Sequence, residues 1–314
     1  MSKIGIFLPG KNGDMMQAMS VLKYKDILWP GKDIVWFCGN TPTLDVLKYN
    51  DAISEVRHWP HGWGLPERCI LENPGAIARG EPFWADFSWI KTAENHLDQS
   101  RKHEFESTAD LDEGYFPAPW MMSLEQRSGI DYPNCSRKVF GADPGWEWHP
   151  YLGFSNEERA TIDDFCRSLP FKKTIMLETD FESGSSPWDD NLTREVMIIC
   201  REKFGSCNFI FACAGDISRF NDTGIASCSQ FTIRQTGLVN NYSDLFIGVS
   251  SGISQAVNAW GNKPTPKLQY CGSVIMSSTA VANGVFELVT TDPPNNRNHR
   301  QMFKERLIRM LGAL

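Results

Sequence analysis

The sequence predicts an α/β protein built as two domains, each with a parallel sheet. Strand-like and helix-like segments alternate over the first 58 residues, and the same alternation returns after Ser155. Strands that are joined by helices form parallel sheets, so this order predicts βαβ units in both halves. The length of 314 residues also exceeds that of one ordinary domain, which favours two.

The elements of the first half follow a βαβαβ order. Lys3 to Leu8 is a short apolar strand that a glycine turn ends, Met15 to Ile27 has helical periodicity, and Asp33 to Cys38 is a second strand. The segment "TPTLDVLKYND" is typical of a helix capped by a threonine, and "ISEVRHW" of a third strand. A parallel sheet is therefore expected here.

The alternation stops between about Trp59 and Pro150, where glycine, proline, charged residues and tryptophan are interleaved without clear periodicity. Seven of the eleven tryptophans fall in this stretch, so most of the chain's indole rings lie in one irregular segment. We expect the first domain to span residues 1–153, with this Trp-rich insert at about 59–150.

Regular alternation marks the second domain, which is expected over residues 154–314. The helix "SNEERATIDDFCRSL" has Ser155 as N-cap and Glu158 at the capping-box position. Lys173 to Leu177 is the next strand, and Gly205 ends the helix that follows it. Further strands are predicted in "NFIFACAGD" and "DLFIGVSSG", and further helices in "ISQAVNAWG" and "HRQMFKERLIRMLGAL".

Composition and charge limit the possible partners. The net charge of −7 and the pI of about 5.5 argue against an extended nucleic-acid surface. No stretch approaches the roughly 20 apolar residues of a membrane span, and the N-terminus lacks a signal-peptide pattern, so we expect a cytoplasmic protein. The nine cysteines include no CxxC pair and no common zinc spacing, so we expect reduced thiols and no metal.

Four loops that follow predicted strands are candidates for a ligand site, since such loops meet at one edge of a parallel sheet. They are "PGKNGD", "ETDFESGSSPWDDN", "CAGDISR" and "VSSGISQ". In the first loop, Asp14 either caps a helix that begins at Met15 or serves as a general base. Spacing alone favours the cap.

The other loops also have two interpretations each. Ser250 to Gly252 form either a tight turn with a serine cap or a site that binds a diphosphate through N–H and hydroxyl groups. Ser185 and Ser186 belong either to a flexible turn or to a contact with a phosphate or sugar. Asp216 either caps a turn or binds a ribose hydroxyl.

Three other features have a structural interpretation beside the functional one. The tryptophans are packing residues or, because indole faces stack on sugar rings, ligand contacts. His58 and His61 are interpreted as part of a packed loop. Asp110-Leu111-Asp112 is interpreted as a solvated loop rather than a metal motif, because no apolar strand precedes it.

Three segments carry a resemblance to a known family. Gly13-Asp14 followed by "GKDIVWFCGNTPTLDVLKYNDAISEV" is the first, "SNEERATIDDFCRSL" leading into "KKTIMLETD" is the second, and "NNYSDLFIGVSSGISQAVNAWGNKPTPKLQYCGS" is the third. Together they resemble the GT-B glycosyltransferases, above all the lipopolysaccharide heptosyltransferases. The family's Asp-Thr-Gly turn is Ser250-Ser251-Gly252 here, and Gln255 stands in place of its histidine. The resemblance covers about residues 1–58 and 155–275.

The resemblance implies a GT-B fold, in which two Rossmann-like domains face each other across a cleft, the first on the acceptor side and the second binding the nucleotide sugar. It implies an inverting, metal-independent glycosyltransferase that needs no cofactor and uses Asp14 as general base on a glycan or other hydroxyl acceptor. The donor-site candidates are Gly13, Ser185, Ser186, Asp216, Ser250, Ser251, Gly252 and Gln255. The acceptor-site candidates are Lys11, Trp59, Trp63, Trp84 and Trp89.

Two other functions fit the same sequence. A nucleotide-sugar epimerase of this fold would need further carboxylates, for which Glu178 and Asp180 are the candidates. A non-catalytic carbohydrate-binding protein would use the tryptophans and would not need Asp14.

Overall fold

The computed structural model describes residues 2–8, 12–38, 41–58, 110–115, 117, 136–137, 139–179, 188–212, 217–220, 222–249, 251–271, 284–290 and 298–314. It divides into two compact units, Met1–Gly153 and Phe154–Leu314. Within the described ranges, none of the helices combines the length and the apolar character that crossing a membrane requires.

Unit 1 contains a parallel sheet with the strand order β3-β2-β1-β4. Its strands are β1 (Lys3–Phe7), β2 (Asp33–Cys38), β3 (Glu55–His58) and β4 (Glu113–Tyr115). Its helices are α1 (Asn12–Met19), α2 (Lys25–Leu28) and α3 (Thr41–Leu47), with a 3-10 turn at Ser20–Tyr24. The apolar residues of β1 and β2 form the core, where the rings of Phe7 and Phe37 stack 4.3 Å apart.

Unit 2 contains a parallel sheet with the strand order β10-β9-β8-β5-β6-β7. Its strands are β5 (Lys173–Leu177), β6 (Cys207–Phe211), β7 (Ile225–Ser227), β8 (Leu245–Gly248), β9 (Lys267–Cys271) and β10 (Phe286–Thr290). Its helices are α4 (Asn156–Arg167), α5 (Asp190–Phe204), α6 (Ile233–Val239), α7 (Gly252–Ala256) and α8 (His299–Ala313), with 3-10 turns at Ser218–Phe220 and Asn240–Tyr242.

Alternation along the strands of unit 2 separates two cores. Ile175 and Leu177 of β5 pack in the cluster that includes side chains of α5 and α8. Met176, between them, packs with Phe246 and Val257 on the opposite face. Successive side chains of a strand point to opposite faces, so the residue after Leu177 faces the same side as Met176.

Side-chain caps fix the helices of unit 2 as the sequence predicts. Ser155 and Glu158 form a complete capping box at α4, and Gly205 ends α5 with a φ of 71°. Glu158 also pairs with Arg234 of α6 at 2.5 Å, and the Arg234 side chain is fully buried. One carboxylate therefore caps a helix and neutralises a buried cation of the neighbouring helix.

Several expectations are corrected. α1 begins at Asn12 rather than at Met15, and α7 ends at Ala256, so it is shorter than the periodic stretch that predicts it. The irregular insert contributes β4, which pairs with β1. β7, α6 and β10 were not among the predicted elements.

The described cysteines are buried thiols: Cys38, Cys166, Cys200, Cys207, Cys228 and Cys271. Burial raises the pKa of Cys166 to about 12, so this thiol stays protonated at neutral pH. In these residues the expectation of reduced thiols in apolar surroundings is confirmed.

Two helical glycines provide a matched test of the α6–α7 packing. A Cβ at Gly237 of α6 would lie 2.7 Å from the carbonyl oxygen of Ala256, whereas a Cβ at Gly312 of α8 meets nothing within 4 Å. We expect Gly237→Ala to lower the free energy of unfolding by about 1–3 kcal/mol through overpacking. Gly312→Ala should raise it by up to about 1 kcal/mol through helix propensity. Urea unfolding of both variants checks this, and a stabilised Gly237→Ala protein would contradict the close approach.

Candidate functional site

In each sheet, the strand order reverses at one point along the edge formed by the carboxyl ends of the strands. In unit 2 the chain runs from β5 through β6 to β7, and β8 then pairs with the other side of β5. In unit 1 it runs from β1 through β2 to β3, and β4 pairs with the other side of β1. Ligands of open α/β sheets bind at the carboxyl ends of the strands where the order reverses. These places are the ends of β5 and β8, and of β1 and β4.

Glu178 lies at the first of these places. It directly follows β5, and its N–H donates to the carbonyl oxygen of Ile247 in β8 at 2.9 Å. Because Leu177 pairs with Ile247, Glu178 stands beside Gly248. A Cβ on Gly248 would lie only 2.8 Å from the Cβ of Glu178 and 3.2 Å from its Oε2. The absence of a side chain at Gly248 thus makes room for the carboxyl group.

Ser251 connects this carboxyl group to α7. The Ser251 hydroxyl donates a hydrogen bond to Oε1 of Glu178. The hydroxyl oxygen of Ser251 in turn accepts hydrogen bonds from the N–H groups of Ile253, at 2.9 Å, and Ser254, at 3.3 Å. Ser254 completes the capping box, because its Oγ accepts from the Ser251 N–H at 3.0 Å. The ends of β5 and β8 and the start of α7 are therefore joined through one serine.

Burial favours the protonated form of the Glu178 carboxyl group. The residue is 1% exposed, and its Oε2 has no hydrogen-bond partner among the described residues. Burial raises the pKa of Glu178 to about 8, and the hydrogen bond from Ser251 opposes this rise only in part. The protonated form of this buried carboxyl group is therefore favoured at neutral pH.

The donor-site candidates of unit 2 that the structure describes are Ser251, Gly252 and Gln255. Ser251 is the N-cap of α7, as the structural interpretation has it, and Gly252 is the first residue of the helix. Gln255 lies one turn further on and is 3% exposed, and its Oε1 has no hydrogen-bond partner within the described part of the chain. Contact of these residues with a donor stays a prediction.

Asp14 and Gly13 lie in the first turn of α1, which follows β1 in unit 1. Asp14 is partly exposed, whereas Met15 and Met16 after it are buried. Because α1 begins at Asn12, Asp14 is the third residue of the helix and not its N-cap. A carboxylate here still complements the positive helix end, and its role as general base stays a prediction.

The remaining candidates lie outside the described residues, and their roles stay predictions. They are Lys11, Trp59, Trp63, Trp84, Trp89, Ser185, Ser186, Asp216 and Ser250. His61 and the epimerase candidate Asp180 lie outside them as well.

Trp188, at the end of the "SGSSPW" segment, belongs to the core of unit 2. It is 9% exposed, and its ring contacts those of Tyr270 and Phe303. Its Nε1–H donates to Thr193 Oγ1 at 2.9 Å. The packing interpretation is correct for this tryptophan, as it is for the buried Trp148.

Asp110 and Asp112 precede β4 and are hydrogen-bonded rather than simply solvated. Arg57 contacts Asp110 at 2.6 Å and Lys3 contacts it at 2.8 Å, and these partners hold the pKa of Asp110 well below its usual range. Asp112 accepts from the hydroxyl of Ser2 and from the N–H of Lys3, both at 2.7 Å. Both acids are exposed, which agrees with the interpretation as a solvated loop, and their hydrogen bonds also form a brace at the amino ends of β1 and β4.

No group of three or more His, Cys, Asp or Glu side chains in the described part of the chain could hold a metal ion.

No protein-family model matches the chain. No curated protein matches its sequence either. Solved structures, by contrast, match over nearly its whole length. A family 9 glycosyl transferase from Veillonella parvula has a TM-score of 0.65 at 12% identity, covering 100% of this chain and 98% of that one.

Two Escherichia coli enzymes are similar as well. ADP-heptose lps heptosyltransferase II has a TM-score of 0.59 at 10% identity, covering 98% of this chain and 99% of that one. Heptosyltransferase WaaC, solved with ADP, has a TM-score of 0.53 at 11% identity, covering 97% of this chain and 99% of that one. The chain thus has the α/β fold of these GT-B glycosyltransferases, and the resemblance stated from the sequence is confirmed for the fold.

The neutral state of Glu178 predicts a pH-dependent contribution to stability. In the unfolded chain this carboxyl group ionises near its ordinary pKa of 4.5, whereas in the fold it keeps its proton up to about pH 8. Stability relative to Glu178→Gln should therefore fall as the pH rises from about 4.5 to about 8, by about 1.4 kcal/mol per pH unit, and level off above. Urea unfolding of both proteins between pH 5 and 9 measures the difference, and parallel curves would rule out a buried neutral acid.

Proposed function

We propose that the protein is a glycosyltransferase that transfers a sugar from a nucleotide-activated donor to a hydroxyl group. The observation that carries the proposal is the fold, since glycosyltransferase structures match 97–100% of the chain. Two of the three are heptosyltransferases, and one of these was solved with ADP, which supports a nucleotide sugar as donor.

We assign donor binding to the carboxyl ends of β5 and β8 in unit 2. This is where the strand order reverses, which is where open α/β sheets bind ligands. In the capping box the Ser251 hydroxyl and the N–H groups of Ser251, Ile253 and Ser254 already have partners. Gly252 takes no part in that box, so its N–H is the group of this turn that we assign to the diphosphate.

We assign the role of general base to Asp14. Attack of the acceptor hydroxyl on the anomeric carbon, from the face opposite the diphosphate, inverts the configuration and releases a proton that a carboxylate can accept. Asp14 follows β1, where the strand order of unit 1 reverses, and its partial exposure leaves it reachable. We propose that hydrogen-bond donors of the protein, without a metal ion, stabilise the charge that develops on the diphosphate.

The donor assignment predicts a specific loss of nucleotide affinity. Gly252→Val puts a branched side chain beside the proposed N–H contact, so the Kd for ADP or UDP should rise by about tenfold or more while the protein stays folded. Calorimetric titration measures the Kd, and circular dichroism checks the fold. Gly312→Val, on the exposed side of α8, is the control for a valine in a helix. A folded Gly252→Val protein with unchanged affinity would overturn the donor assignment.

The assignment of Asp14 predicts a loss of turnover without a loss of stability. Asp14→Asn keeps the size of the side chain but removes the proton acceptor, so kcat should fall by about 10²-fold or more. Loss of the charge near the helix start should cost less than about 1 kcal/mol. Asp26→Asn, in the first turn of α2, is the matched control and should leave kcat unchanged. Near-normal transfer by Asp14→Asn would show that the base lies elsewhere.

A panel of nucleotide sugars, with and without candidate acceptors, separates this function from the two alternatives. A transferase consumes the donor slowly unless an acceptor is present. Conversion of the sugar to its epimer without an acceptor would identify an epimerase. Carbohydrate binding without any turnover in the whole panel would identify a binding protein.

A further inference from the structure

Glu178 is a buried acid, and no opposite charge faces it from the residues that the structure describes. Ser251 faces it from α7, and Gly248 and the ring of Phe246 lie beside it in β8. Among the described residues, no charged or titratable side chain contributes to its pKa, which is set by burial and by the Ser251 hydroxyl. A carboxylate in such a place would be an unpaired buried charge, which proteins avoid by keeping the group protonated.

We propose that Glu178 is a positioning residue of the donor site, and that the diphosphate of the donor binds well only while Glu178 carries its proton. The proposal rests on the proposed function, because it needs a diphosphate at the ends of β5 and β8. Glu178 acts through Ser251, whose hydroxyl it holds in the turn that precedes Gly252.

Diphosphate affinity should depend on the protonation of Glu178 because ionisation would place a negative charge close to the bound diphosphate. Ser251 bonds directly to Glu178 and is the residue before Gly252, so a phosphate oxygen bound to the Gly252 N–H would lie within about 8 Å of the carboxyl group. Neutral Glu178 leaves the anion undisturbed, whereas ionised Glu178 repels it with little solvent between them to screen the charges. Affinity for the nucleotide should therefore fall as the acid ionises.

The hydrogen bond from Ser251 predicts the direction in which the pH profile can be moved. This bond favours the ionised form and so lowers the pKa of Glu178 relative to burial alone. Ser251→Ala removes it, which should shift the loss of affinity to higher pH. A merely structural role of Ser251 would change the affinity without moving the midpoint.

The experiment compares nucleotide affinity across pH in two proteins. ADP, UDP, GDP and CDP are titrated calorimetrically into the unsubstituted protein at pH 7.0, and the tightest binder is then measured up to pH 9.5 in this protein and in Glu178→Gln. The Kd of the unsubstituted protein should rise at least about tenfold, with a midpoint near pH 8. Glu178→Gln has an uncharged side chain at every pH, so its Kd at pH 9.5 should stay within about twofold of its own value at pH 7.0. Using one nucleotide for both proteins cancels the ionisation of the nucleotide itself.

Each outcome decides between the proposals. A flat profile in the unsubstituted protein, or the same rise in Glu178→Gln, overturns the role of Glu178 and leaves the proposed function standing. Absence of binding of all four nucleotides at every pH overturns both. If Glu178→Gln does not fold, Glu178→Met, which is also uncharged and of similar length, replaces it with the same expected flat profile. The uncharged nucleoside of the chosen nucleotide is the ligand control. It should bind more weakly, and its Kd should not change as Glu178 ionises.

Discussion

The pairing of β5 with β8 is the constraint on which the carboxyl edge of unit 2 depends. The N–H of Glu178 continues the ladder by one bond beyond β5, so the acid is fixed at the last rung of the sheet, beside Gly248. Its side chain then faces the start of α7, where the Ser251 hydroxyl donates a hydrogen bond to it. The position of the Glu178 side chain thus depends on three features: the pairing of β5 with β8, the glycine at position 248, and the cap of α7. A displacement of either strand would disturb all three.

Two glutamates of unit 2 differ in how their negative charge is compensated. Glu158 faces the buried guanidinium of Arg234 and forms two short hydrogen bonds with it, at 2.5 and 2.9 Å. Among the described residues, Glu178 has a serine hydroxyl and no counterion as its partner, and burial raises its pKa so that the protonated form is favoured. Both arrangements satisfy the rule that an isolated charge is not kept in a protein interior. The first fixes two helices against each other, and the second leaves a titratable group at the edge where ligands of such sheets bind.

Local signals in the sequence predict much of this fold. The capping box of Ser155 and Glu158, the terminal Gly205 and the apolar run of β5 each depend on neighbours in the chain, and each was predicted correctly. β4 depends instead on pairing with β1, more than 100 residues away, and its sequence Glu-Gly-Tyr has no apolar run. α6 carries a glycine in its centre, which lowers its helical propensity although packing on α7 requires it.

In the candidate site, too, the features that depend on neighbours in the chain could be predicted, and those that depend on distant contacts could not. The turn at Ser251 and Gly252 could be predicted, because small residues after an apolar strand and before a helix are a local pattern. The part played by Glu178 could not, since the sequence gives no measure of its burial and marks it only as an acid directly after a strand. Ser251 as its partner is 73 positions away in the chain. The brace formed by Arg57, Lys3 and Asp110 was missed for the same reason, because it joins three distant segments.

The contact between Glu178 and Gly248 also has a consequence for the divergence of this protein. A methyl group at position 248 would lie 2.8 Å from the Cβ of Glu178, so the two positions cannot vary independently. Every residue except glycine carries that Cβ, so any side chain at position 178, acidic or not, requires glycine at position 248. Among descendants of a common ancestor, glycine at position 248 should therefore persist even in lineages that have lost the buried acid, unless position 178 has itself become glycine.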